Sequence, residues 1–147
     1  MKPFSKLIAI VLFNFTLIGI SQAQTKQQTI VYTDIDNFWI AFDSLQTTTD
    51  SVKQYSLFQK MYVDKGTPGL KAFMEAKGYT TEAWLNCIRS YPKYWASIRP
   101  KTLKIKQVNK ELDPYIAKFK KIYPAFKPAN IYFTIGAMRS GGTTQDD

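Results

Sequence analysis

The sequence predicts a mainly α protein: several short amphipathic helices packed as an irregular bundle, with one strand near the C-terminal end. Three observations lead there. Between Thr33 and Tyr123 apolar residues recur at helical spacing, punctuated by polar caps, glycines and prolines. A hydrophobic share of 45% and a charged share of 21% are ordinary for a packed domain, and 147 residues suffice for one core. Only Asn130–Ile135 (NIYFTI) combines the aromatic and β-branched residues of a strand with a following turn, Ser140-Gly141-Gly142-Thr143. A hairpin needs a second strand after such a turn. Residues 130–147 therefore read as an incomplete hairpin, and the chain as the front part of a longer protein.

Residues 1–23 read as a secretory leader. Lys2 and Lys6 form its positive start, and Leu7–Ile20 forms an apolar stretch that fits a leader better than a membrane span. Ser21-Gln22-Ala23 places small residues where a signal peptidase cuts, so cleavage is expected after Ala23. An uncleaved membrane anchor is the competing reading. With cleavage, the protein works in the periplasm or outside the cell and keeps no stable membrane span.

Residues 24–129 read as a helical subdomain. Thr29–Tyr32 is a short β-prone run that either pairs with Asn130–Ile135 or leads into the first helix. A helix is predicted over Thr33–Leu45, capped by Thr33 or Asp34, with Ile35, Phe38, Trp39, Phe42 and Leu45 on one stripe. Asp34 and Asp36 would otherwise be a metal-binding carboxylate pair, but their position suits capping better. Asp50 caps a second helix, Ser51–Val63, whose apolar face is Val52, Tyr55, Phe58, Met61 and Tyr62. Thr67-Pro68 opens a third helix and Gly78 closes it in a left-handed turn. Thr80 or Thr81 starts a fourth, carrying Trp84, Leu85, Cys87 and Ile88. Pro92 and Pro100 interrupt on either side of Tyr94–Arg99. Lys101–Tyr123 then forms a long basic helix, which Pro114 either kinks or restarts.

The composition narrows the chemistry. There is no histidine, which removes histidine-based triads and imidazole zinc sites. The single Cys87 cannot form an internal disulfide, and it reads as a buried thiol without a base to activate it. Trp39, Trp84 and Trp95 could line a groove, but aromatics at helical spacing are more often core. Without Lys2 and Lys6 the balance is 18 basic against 11 acidic residues, +7. That suits an anionic surface, although a solvated lysine-rich surface is the simpler account. Nucleic acid is set aside: secretion removes most such partners, and core packing accounts for the aromatics of the lysine-rich helix. Asp146-Asp147 are read as solvated.

Three patches in order carry a resemblance: Thr33–Trp39 (TDIDNFW), Tyr91–Pro100 (YPKYWASIRP), and Asn130–Gly136 running into Ser140–Thr144. They resemble the amino-terminal part of a secreted bacterial family of zinc-dependent proteases, first described as a domain of unknown function and associated with gliding-motility lipoprotein B. The resemblance spans most of the chain after the leader. In that family a second strand and a helix with a His-Glu-x-x-His zinc motif follow, giving an α+β whole. This chain has no such motif, so the resemblance assigns it no catalytic or metal residue, and zinc is implied only for the full-length family. It implies instead that Ile131, Tyr132, Phe133, Thr134 and Ile135 form an edge strand for extended peptide substrate. It also implies that Ser140, Gly141, Gly142 and Thr143 lie near the cleft.

Two functions are therefore expected. One is a scaffold portion of a secreted zinc peptidase, inert alone. The other is a complete small periplasmic helical protein that binds a partner through a basic or aromatic face. The second gains if Thr29–Tyr32 pairs with the C-terminal strand; otherwise the exposed edge predicts aggregation.

Overall fold

Thr33–Leu45 forms a helix, α1, over the span its stripe predicts. In the computed structural model, which describes residues 29–145, it is the first of six α-helices. The leader, its cleavage site, the Gln24–Gln28 start and Asp146-Asp147 lie outside the described residues. The later helices are α2 (Ser51–Phe58), α3 (Pro68–Lys77), α4 (Thr81–Ser90), α5 (Pro92–Leu103) and α6 (Ile105–Ile122). A wider π-helical turn, Gln59–Val63, extends α2. β1 (Ile30–Val31) and β2 (Ile131–Tyr132) form a two-stranded sheet. The mainly α expectation is met.

Local chemistry sets several of the helix ends. The Asp50 carboxylate accepts from the N–H groups of Val52 at 2.8 Å and Lys53 at 3.2 Å. Thr67 Oγ1 accepts from Leu70 N, ahead of Pro68. Thr80, rather than Thr81, caps α4 by accepting from Ala83 N. Gly78 closes α3 at φ 61°, a conformation that suits glycine.

Several expectations are corrected. Neither Thr33 nor Asp34 caps α1; both lie inside it, and Tyr32 precedes it without a side-chain cap. Asp34 is buried and accepts from Thr67 N at 3.0 Å and Thr67 Oγ1 at 2.5 Å, while Asp36 pairs with Lys106 at 2.8 Å. Those long-range partners outcompete the local cap. α5 runs through Pro100 to Leu103, and the break comes instead at Lys104. Interior proline removes a helix bond, but tertiary contacts hold this turn to α1. Arg99 binds the Asp43 carboxylate at 2.6 and 2.7 Å, and Trp39 Nε1 donates to Thr102 Oγ1 at 2.9 Å. α6 likewise continues through Pro114. Of the expected face of the second helix, Phe58 and Tyr62 are buried and Met61 half-buried, whereas Val52 and Tyr55 are exposed.

The core is a run of aromatic rings. Phe38 meets Trp39, Phe58, Tyr62 and Trp95 at centroid distances of 5.0–5.8 Å. Tyr62 continues to Trp84, Trp84 to Tyr79, and Tyr79 to Phe73. Trp39, Trp84 and Trp95 are all buried, as their helical spacing predicts. Each such side chain contributes roughly 2–3 kcal/mol by leaving water, so the helical unit rests on these rings more than on its short sheet.

The C-terminal segment contributes one short strand. No hairpin forms among the described residues. β2 is shorter than Asn130–Ile135 and pairs in parallel with β1, Ile30 opposite Ile131 and Val31 opposite Tyr132. Ile131 N donates to Thr29 O and Phe133 N to Val31 O, each at 2.8 Å. The TIVY run thus supplies the pairing rather than only leading into α1. Parallel pairing needs a long crossover, and here the whole helical unit lies between the strands.

Candidate functional site

Two surfaces offer chemistry. The first is the segment from β2 to Ser140, which the helical core grips mainly by its main chain. Tyr62, buried on the π-helical turn, places its hydroxyl against Ile135. It accepts from Ile135 N at 3.1 Å and donates to Ile135 O at 2.8 Å. Trp84 Nε1 donates to the same carbonyl at 2.9 Å. Burial pushes the Tyr62 phenol well above its ordinary pKa, so it stays protonated and able to donate. Cys87 Sγ, half-buried on α4, donates to Ala137 O at 3.4 Å, so the thiol is used in holding this segment.

Further along, Met138 adopts φ 60°, unusual for a residue with a side chain. Beyond it the N–H groups of Arg139 and Ser140 both donate to Tyr79 Oη at 3.1 Å. Gly136 is needed for close approach: a Cβ there would meet Phe73 at 2.8 Å and Tyr79 at 3.1 Å. Gly69 on α3 does the same beneath Tyr132, where an added Cβ would fall 2.1 Å from the ring.

The residues expected at a substrate edge are thus distributed as follows. Ile131 and Tyr132 form β2, Phe133 and Thr134 follow it half-buried, and Ile135 is buried against Tyr62 and Trp84. One edge of β2 is taken by β1. Alternation along a strand turns the main-chain groups of Tyr132 to the other edge, which carries no third strand among the described residues. Ser140 is half-buried and hydrogen-bonds through its hydroxyl with Gly142 N and O, whereas Gly141, Gly142 and Thr143 are exposed.

The second surface is α6. Its first turn is fastened to the body. Ile105 packs against the core, and Lys106 pairs with Asp36 and lies 5.7 Å from the Tyr32 ring centre. The hydrogen bond that Lys106 donates to Asp36 raises the Lys106 pKa and keeps it charged. None of the helix's described side chains is buried. Tyr115 is 72% exposed, Phe119 51% and Ile122 73%, with Tyr123 at 54% just beyond the helix. Core packing therefore does not account for these aromatics, contrary to the expectation from their stripe. Phe126 turns back to meet Phe119 edge-on at 5.3 Å. Together Tyr115, Ile116, Lys118, Phe119, Ile122 and Phe126 line a shallow apolar groove of about 420 Å³. The sequence showed the stripe and its lysines, but a stripe has the same period whether a core or nothing covers it.

Among the described residues no three His, Cys, Asp or Glu side chains gather as a metal site, and no helix is long and apolar enough to cross a membrane. Comparison of the chain with protein-family profiles, with curated proteins and with solved structures finds no match.

Proposed function

We propose that this chain is a helical binding module, secreted by its Met1–Ala23 leader, that engages a partner through the basic, aromatic face of α6. The observation that carries this reading is the exposure of Tyr115, Phe119 and Ile122 on one side of a lysine-rich helix. A contiguous apolar face left in water is a mark of an interaction surface. The β1–β2 pairing supports it, because the C-terminal strand already has a partner within the helical unit. The test is a photo-crosslinking amino acid at position 119, with Lys93 on α5 as control, in the native cell. A discrete adduct at 119 and none at 93 is expected; no adduct at 119 overturns the reading. N-terminal sequencing of the native protein checks secretion, which requires a start at Gln24.

A second reading is favoured by the outer edge of β2, which carries no strand among the described residues. Here the helical unit is the scaffold of a secreted zinc-dependent peptidase. Ile131–Ile135 would lie beside extended peptide and Ser140–Thr143 near the cleft. The chain's own donors do not fit zinc: it holds no histidine, and the described residues group no three metal-ligating side chains. No zinc step is assigned to it. Intact mass and zinc content of the native protein test this reading. A mass well above 16.9 kDa with stoichiometric zinc is expected, and a zinc-free mass at or below that value overturns it.

A further inference from the structure

We infer that the partner of α6 is an anionic membrane surface, on which the helix lies in the plane of the interface. This deepens the binding-module reading and rests on it.

The placement of residues carries the inference. At 100° per residue, Leu112, Tyr115, Ile116, Phe119 and Ile122 fall within an arc of about 120°. Lys118 borders that arc beyond Ile122, and Lys120 borders it beyond Ile116, each about 40° away. Lysines on both flanks can lay their methylene stems along the apolar face while their ammonium groups reach outward. The region from Lys101 to Pro128 holds eight lysines against two acidic residues, Glu111 and Asp113. Eighteen residues give a helix about 27 Å long. With its first turn tied down by Lys106 and Asp36, Tyr115, Phe119, Ile122 and the following Tyr123 are left exposed at its other end.

An occupant must satisfy an apolar face and a rim of positive charge together. The acyl–headgroup boundary of an anionic bilayer offers both layers within one helix radius. A second copy of the chain would bring the Lys118 and Lys120 flanks against their own kind. A nucleic acid would answer the lysines but leave Leu112 and Ile122 without apolar cover. An acidic protein helix would want a walled groove, and among the described residues Phe126 alone rises beside the exposed face.

The test is co-sedimentation of the native protein with phosphatidylcholine vesicles, with and without about a quarter phosphatidylglycerol. Binding is expected only to the anionic vesicles and should weaken as salt rises. Each lysine near such a surface is worth roughly a fivefold factor, so replacing the flanking Lys118 and Lys120 by Gln should weaken binding by at least about tenfold. Phe119→Ser with Ile122→Ser should weaken it as much. These positions are exposed, and unchanged circular dichroism confirms that the variants fold. Any leader segment is common to all variants. Equal binding to neutral vesicles, or binding untouched by either set of substitutions, overturns the inference. Polyglutamate and duplex DNA are run alongside. If either binds more tightly than vesicles and is lost with the same substitutions, the membrane is the wrong partner and the binding-module reading stands. If no probe binds and position 119 gives no adduct, both fail.

Discussion

Tyr62 closes both main-chain groups of Ile135: one phenol oxygen accepts its N–H and donates to its carbonyl, across 73 positions of sequence. A buried residue three positions after β2 would otherwise carry an unpaired N–H. The ring that carries this hydroxyl packs against Phe38, Phe58 and Trp84, so the C-terminal segment and the aromatic core share one anchor.

Removing that oxygen isolates its contribution. Tyr62→Phe keeps the ring and its packing but leaves Ile135 N without its acceptor; Trp84 still serves the carbonyl. The expected loss is about 2 kcal/mol, read from urea denaturation. A loss below a few tenths would mean that water or a shifted backbone replaces the hydroxyl.

Gly69 and Tyr132 make a steric test of the sheet. A Cβ at 69 would lie 2.1 Å from Tyr132 Cγ and 2.2 Å from its Cβ. Gly69→Ala should cost on the order of 1–3 kcal/mol and loosen β2, seen as faster amide exchange at Ile131 and Phe133. Trimming Tyr132 to Ala in the same chain should restore little, because its Cβ is itself in the way. Gly141→Ala meets nothing within 4 Å and should be nearly silent.

Asp34 and Asp43 should answer pH in opposite senses. Burial raises the Asp34 pKa above the usual 3.8, against the lowering influence of its two Thr67 hydrogen bonds. The folded state then holds that proton more tightly than the unfolded chain. Its stabilisation is complete below the unfolded value and is lost as pH rises through the raised one. The Arg99 hydrogen bond lowers the Asp43 pKa, so its stabilisation is present above 3.8 and is lost as pH falls through the lowered value. Urea midpoints between about pH 3 and 7 check both. Relative to the native protein, Asp34→Asn should gain with rising pH and Asp43→Asn should lose. Asp43 is 54% exposed, so added salt should shrink its effect. Profiles parallel to the native one would refute both assignments.

The exposed face of α6 makes a contrast with the core. Tyr115→Ser and Ile122→Ser should change stability by no more than about 0.5 kcal/mol. Trp84→Ala, at a fully buried ring, should cost about 3–5 kcal/mol. Large losses from the α6 substitutions would mean that its stripe is covered within the chain.

What the sequence by itself determined is local. α1 spans Thr33–Leu45 as expected, Asp50, Thr67 and Gly78 act where their types and spacing place them, and α4 is capped by one of the two threonines offered for it. A cap or left-handed turn is decided within four residues, and those residues are in view along the chain. The three tryptophans were legible as core for the same reason, since helical periodicity marks a face. Tertiary structure alone decided what each face and each strand would meet. Asp34 looked like a cap until Thr67, 33 positions away, offered a closer pair of donors. Asn130–Ile135 read as a strand, but only the fold set β1 along one edge of it and Tyr62 against its end. The α6 stripe looked like core, yet among the described residues no element closes over Tyr115, Phe119 and Ile122. Hydrogen-bonding capacity and apolar period are properties of the local chain. The partner that satisfies them is set by which distant segments the fold brings near, and no local pattern records that.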